Sequence, residues 1–102
     1  MEDRALYNGL IRLHILYHAG EGPIFGQSMI DELAHHGYRL SAGTLYPILH
    51  GMERQGYLKS LVMKKDGRNR RVYRVTPLGR KALGTARQRV QELFGEMFKG
   101  DE

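Results

Sequence analysis

The sequence predicts a mainly α fold with one small β-hairpin, in the order helix, helix, helix, hairpin, long helix. Three observations carry that prediction. Apolar residues recur at helical spacing in four separate stretches. Between the third and the fourth the period changes, and two runs rich in β-branched and aromatic residues flank Asp66-Gly67, a strong two-residue hairpin signal. Charge is concentrated there too: "KKDGRNRR", residues 64–71, holds five basic residues and one acid, nearly all of the chain's net charge of +5. A localised patch of that kind attracts a polyanion rather than merely keeping a protein in solution.

Residues 4–19 place Leu6, Leu10, Leu13 and Tyr17 on one face and Ile11, Ile15 and Leu16 on another, so the first helix is buried on more than one side. "GEGP", residues 20–23, ends it. In "IFGQSMIDELAHHG", Phe25, Met29, Ile30 and Leu33 form the stripe of a short second helix that closes on Gly37. Ser41 is a good N-cap for a third helix, in which Leu45, Ile48, Leu49 and Met52 face inward until Gly56 stops it. The hairpin pairs Val62 with Arg71, Ser60 with Tyr73 and Leu58 with Val75, giving an inward face of Leu58, Val62, Tyr73 and Val75. Lys64, Lys65, Arg68, Asn69 and Arg70 cluster toward its tip.

Thr76 followed by Pro77 is an N-cap with proline at the first helical position. The helix it opens is expected to run to about Lys99, roughly 35 Å, longer than so small a domain needs. Leu83, Ala86, Val90, Leu93 and Met97 recur along it at spacings of three and four, with Phe94 and Phe98 beside them, the seam of a helix that pairs with another.

A chain of 102 residues fits one domain with a small core, to which a partner subunit would add buried apolar surface. The absence of cysteine excludes disulfides, thiolate catalysis and Cys-based zinc sites, and fits a cytoplasmic chain. The first apolar stretch is interrupted by Arg12, His14 and His18 and matches neither a signal peptide nor a membrane span. Nothing at recognisable spacing makes an enzyme: Ser28, Asp31 and His35 share one short helix face, with poor geometry for a triad. No catalytic residue and no cofactor is therefore assigned. His14 and His18 stand at i and i+4, a metal-compatible spacing, but with no third ligand on that helix they read as core or interface residues. His35-His36 suit a helix C-terminus as positive charges, and no metal is expected.

Three helices followed by a basic hairpin describe a winged helix-turn-helix, whose third helix enters the major groove while the hairpin reaches an adjacent groove or the backbone. The outward positions at the start of that helix, Ala42, Gly43, Thr44, Tyr46 and Pro47, are small, hydroxylated or rigid. Such a first turn can press against phosphates and base edges, and Gly43 permits close approach. Pro47 lacks the N–H that would bond back to residue 43, at a cost of about 3 kcal/mol or more in a helix interior. A helix beginning near Thr44 would lower that cost by bringing Pro47 into the first turn. The competing reading is a winged-helix interaction module that meets an acidic protein, without sequence-specific DNA binding.

"SAGTLYPILHGMERQGYL", residues 41–58, resembles the recognition-helix signature of the PadR-type transcriptional regulators, through Ser41, Gly43, Thr44, Leu45, Tyr46, Pro47, Leu49, Glu53 and Gly56. "RVYRVTPLG" is similar to the family's downstream motif at Arg71, Tyr73, Thr76 and Gly79, and "GPIFGQSMIDEL" to its approach to helix two. Gly51-Met52 departs from the pattern, since the family usually has Arg-Leu there. The resemblance spans residues 6–98 and implies a homodimeric regulator, commonly a repressor, on a pseudo-palindromic operator. It implies DNA contacts by Ser41, Thr44 and Tyr46, with Pro47 shaping the turn. Lys64, Lys65, Arg68, Asn69 and Arg70 would add wing contacts, mainly to phosphates. The single C-terminal helix matches the family's short members, whose dimer is built from that helix and helix one. Leu6, Leu10, Leu13, Tyr17, Leu83, Ala86, Val90, Leu93, Phe94 and Met97 would then form the interface. Some members bind aromatic or cationic small molecules there, and Tyr7, Tyr17, Phe94 and Phe98 are the aromatics on hand. The expected organisation is a winged-helix DNA-binding part at 1–76, a dimerisation helix at 77–99 within the same single domain, and a tail at 100–102.

Overall fold

The computed structural model describes residues 3–100; Met1, Glu2 and the last two residues of the expected tail lie outside the described residues. The elements run α1 (Arg4–Glu21), β1 (Ile24–Phe25), α2 (Gly26–His35), α3 (Ala42–Arg54), β2 (Leu58–Lys65), β3 (Arg68–Val75) and α4 (Pro77–Met97). The Asp3 carboxylate starts α1 by accepting from the Leu6 N–H at 3.2 Å. α2 and α3 end alike, on a glycine in the left-handed region. Gly37 (φ 89°) lets the Tyr38 N–H return to the Leu33 carbonyl at 2.9 Å, and Gly56 (φ 86°) lets the Tyr57 N–H return to Met52 at 3.0 Å.

The strands form one antiparallel sheet in the order β1-β3-β2. β2 and β3 pair from Leu58↔Val75 to Lys65↔Arg68 in the expected register. Asp66 and Gly67 both have positive φ, 54° and 75°, the turn whose twist matches the flanking strands. β1 departs from expectation: Phe25, placed on the stripe of helix two by the sequence, lies in a strand, with Ile24 and Phe25 paired to Tyr73 and Val72. α2 starts at the next residue, where the Ser28 hydroxyl donates to the Phe25 carbonyl at 2.9 Å.

Ile11, Ile15 and Leu16 of α1, Met29 and Leu33 of α2, and Leu45, Leu49 and Met52 of α3 form one core, closed from the side by Leu58 and Tyr73. Each such side chain contributes about 1.5–3 kcal/mol when buried, so this cluster outweighs any surface contact in setting the angles between the helices. Val72 and Tyr73 point to opposite faces of β3 and both are fully buried, so the sheet is covered on both sides at its base. Beyond the base it is bare: residues 61–70 are all exposed. Val62, expected to complete the inward face, is 58% exposed because the hairpin projects past the core.

The Thr76 hydroxyl accepts from the Gly79 N–H at 3.0 Å and donates to the Gly56 carbonyl, so one side chain caps α4 and fastens it to the end of α3. A Cβ on Gly79 would run into the Tyr57 carbonyl oxygen and lie 2.8 Å from Val75 Cγ2; only glycine lets α4 begin this close to the base of the hairpin. α4 ends at Met97 rather than near Lys99, and its 21 residues reach about 32 Å. Its first half lies along α1, with Leu83 against Gly20, and from Arg87 onward every described residue is exposed. Among the described residues no helix is long and apolar enough to cross a membrane.

Candidate nucleic-acid interface

α3 begins at Ala42, not Thr44, so Pro47 is in its second turn and the Gly43 carbonyl has no N–H at residue 47 to receive. Ser41 occupies the N-cap position without capping the backbone; its hydroxyl bonds Thr44 Oγ1 at 3.3 Å. Burial of Leu45, Leu49 and Met52 turns the opposite side outward as an exposed stripe of Gly43, Pro47, His50 and Arg54, with Ser41 and Thr44 exposed at its start. His50 and Arg54 escaped the sequence reading, although counting i+7 from Gly43 and from Pro47 marks them on the same stripe. The Arg54 Nη2 lies 3.8 Å from where a Cβ on Gly51 would be, which brings a cation beside the position where the PadR-type pattern has a basic residue.

Tyr46 is half-buried. It leans across the start of α2, and its hydroxyl fills the space that a Cβ on Gly26 would take. Gly26 is thereby explained by a side chain from another helix.

In the wing the pleat divides the basic cluster. Lys64, Asn69 and Arg71 share one face with Ser60, while Lys65, Arg68 and Arg70 share the other. Arg71, paired with Val62 on the face expected to turn inward, is exposed and donates to the Ser60 hydroxyl at 3.0 Å. Lys65 extends its ammonium over the Phe25 ring, 5.3 Å from the centroid. The wing is joined to α3 through Glu53, whose Oε2 accepts from the Ser60 hydroxyl at 2.7 Å and the Ser60 N–H at 3.1 Å. The Ser60 hydroxyl bond, aided by the Ser60 N–H and the nearby Arg71 cation, holds Glu53 below its usual carboxylate range against the opposing effect of burial. Tyr73 is shifted the other way, upward, by its burial, and its phenol stays neutral.

The expected interface residues fall into two groups. Leu13, Leu83 and Ala86 are half-buried within the chain, where α4 lies on α1. Leu6, Leu10, Tyr17, Val90, Leu93, Phe94 and Met97 are exposed, Leu6, Leu93, Phe94 and Met97 by more than half. A cavity of about 1000 Å³ opens between the two helices, lined by Leu10, Tyr17, Val90 and Phe94 among others. Of the four aromatics singled out in the sequence, Tyr17 and Phe94 line it and Tyr7 and Phe98 do not. His14 and His18, read as a pair without a third partner, are joined by His36 and Glu32 from α2. Nothing in the spacing along α1 could reveal this, since the packing of α1 on α2 brings them together.

A helix-turn-helix whose second helix shows such a stripe beside a cationic hairpin is a winged helix-turn-helix, a class of DNA-binding domain. The chain belongs to the PadR-like family of transcriptional regulators, whose family model matches residues 15–85. It is 47% identical over 97 residues to the transcriptional regulator Rv3488 of Mycobacterium tuberculosis, a match covering 95% of this chain and 91% of that protein. It is similar to the crystal structure of a PadR family transcriptional regulator from Eggerthella lenta, with a TM-score of 0.76 and 28% identity over 94% of this chain and 88% of the other. A Streptococcus transcriptional regulator shares the fold, with a TM-score of 0.84 at 20% identity over 99% of this chain and 100% of the other. The protein is accordingly a transcriptional regulator, which entails DNA binding, and not an enzyme.

Proposed function

We propose that the protein is a homodimeric repressor acting in the cytoplasm on a pseudo-palindromic operator. Residues 41–55 read the major groove and the basic wing, 64–71, holds the flanking backbone. Residues 1–76 make the DNA-binding part and residues 77–99 the dimerisation helix of the same domain. The observation that carries this reading is the exposed stripe of α3 beside a wing tied to it through Glu53, Ser60 and Arg71, which supports the two elements engaging one duplex together. In a dimer the two copies of α3 would meet half-sites about 34 Å apart, one helical turn.

The exposed apolar residues of α1 and of the second half of α4 support the dimer, since one chain leaves Leu93, Phe94 and Met97 in water. Sedimentation should report a dimer for the parent chain and a monomer for Leu93→Glu combined with Phe94→Glu. The cavity between α1 and α4 supports an aromatic or cationic small-molecule effector, being of a size that such ligands fill.

Fluorescence anisotropy against duplexes from the region upstream of the gene tests the central reading. One duplex should bind at least about 1000-fold more tightly than random sequence, as specific regulators do. Affinity no greater than for random duplex, even at low salt, would instead support an interaction module that meets an acidic protein.

A further inference from the structure

Three imidazoles converge where the end of α2 meets α1. His14 and His18 come from successive turns of α1 and His36 from the C-cap of α2, and the three offer ring nitrogens that all lie within 4.8 Å of one another. The His14 and His36 rings stack with centroids 4.6 Å apart. Glu32, one turn before His36, accepts from His36 Nε2 at 2.9 Å, and its Oε2 lies 3.9 Å from His18 Nε2. We propose that His14, His18 and His36 form a binding site for a divalent transition-metal cation of the zinc class, with Glu32 as the positioning residue that holds the His36 ring.

Zinc–nitrogen bonds of about 2.0–2.1 Å at a tetrahedral centre set the ligand nitrogens about 3.3 Å apart, so the rings must close by no more than about 1.5 Å. Side-chain rotation supplies that, because His36 is nearly half exposed and His18 a quarter exposed. A carboxylate on one ring nitrogen fixes the orientation of the ring and raises its basicity, the usual outer partner of a metal-bound histidine. Imidazole ligands select zinc, nickel, copper or cobalt; one carboxylate among three imidazoles is a poor site for magnesium or calcium. All three histidines line the cavity between α1 and α4, which leaves the remaining coordination position open on that side.

The test is calorimetric titration of the full chain, without a histidine tag, with Zn²⁺, followed by thermal denaturation. The parent chain should bind one Zn²⁺ and gain thermal stability in proportion to saturation. His18→Asn and His36→Asn should each weaken binding by more than 100-fold and abolish the stabilisation. Glu32→Gln should weaken it by about 10–100-fold, the effect of losing an outer hydrogen-bond partner. His35→Asn, an exposed neighbour outside the cluster, should change nothing. His36 is exposed, so its substitution leaves the fold intact, which circular dichroism verifies. Absence of Zn²⁺ binding by the parent chain would overturn the proposal, as would binding that survives in the His14→Asn, His36→Asn double variant.

Discussion

Leu49 in α3 has no exposed surface, whereas Val62 in the wing is more than half exposed. The two regions flank the same candidate interface with opposite physics. α3 is held from behind by the core and opens its exposed stripe with the small and rigid Gly43 and Pro47, so its backbone there keeps a fixed place relative to the rest of the chain. The wing buries only its base and gains its character from charge, which acts on any phosphate within reach. A surface of the first kind suits discrimination between base edges, and one of the second kind suits affinity without sequence preference.

The largest effect that would break this contrast is on stability. Leu49→Ala should cost about 2–5 kcal/mol in urea denaturation, since the cavity it leaves has no solvent to relax into. The equivalent truncation, Val62→Ala, should stay within about 0.5 kcal/mol. Equal losses would mean that the wing is packed after all. Next in size, Gly79→Ala should lower stability by about 1–3 kcal/mol, because the new methyl meets backbone at Tyr57 rather than a movable side chain.

On DNA the ranking reverses. Arg68→Ala combined with Arg70→Ala should leave thermal stability unchanged, weaken binding to every duplex and reduce the salt slope by about two. Thr44→Ala should leave that slope alone and erode the preference for the operator; a changed slope and intact preference would exchange the two roles.

The smallest effect concerns the joint between the regions. Glu53 is held below its usual range when folded, so near about pH 4 the folded chain binds fewer protons than the unfolded one. Its contribution is therefore complete above the ordinary carboxylate pKa and is lost as pH falls through the lowered folded value. Glu53→Gln should flatten that part of the acid limb in a series of denaturation curves, and an unchanged limb would show that the Ser60 contact contributes little.

What was legible in the sequence was whatever a local signal determines. Asp66-Gly67 defines the wing register because positive φ at both residues leaves one way to pair the strands, and Gly37, Gly56 and Thr76-Pro77 mark helix ends for equally local reasons. Alternation along the strands told which face Val62 occupies, but not that the core stops short of it. β1 was missed because a two-residue strand has no period. Ser41 marked the start of α3 by a local signal too; the later start near Thr44 that would ease Pro47 does not occur, because the tertiary burial of Leu45 and Leu49 outweighs the local cost of the proline. His36 and Glu32 could not be assigned to His14 and His18, since that grouping exists only once α2 lies on α1.

The contact of Tyr46 with Gly26 has a consequence for how such chains diverge. The two positions share one volume, so any side chain at 26 is excluded while a tyrosine stands at 46. Shortening residue 46 first opens room for a methyl at 26, whereas the reverse order passes through a strained intermediate. The two sites form a single mutational unit, and a path of single substitutions between two such regulators must take its steps in that order.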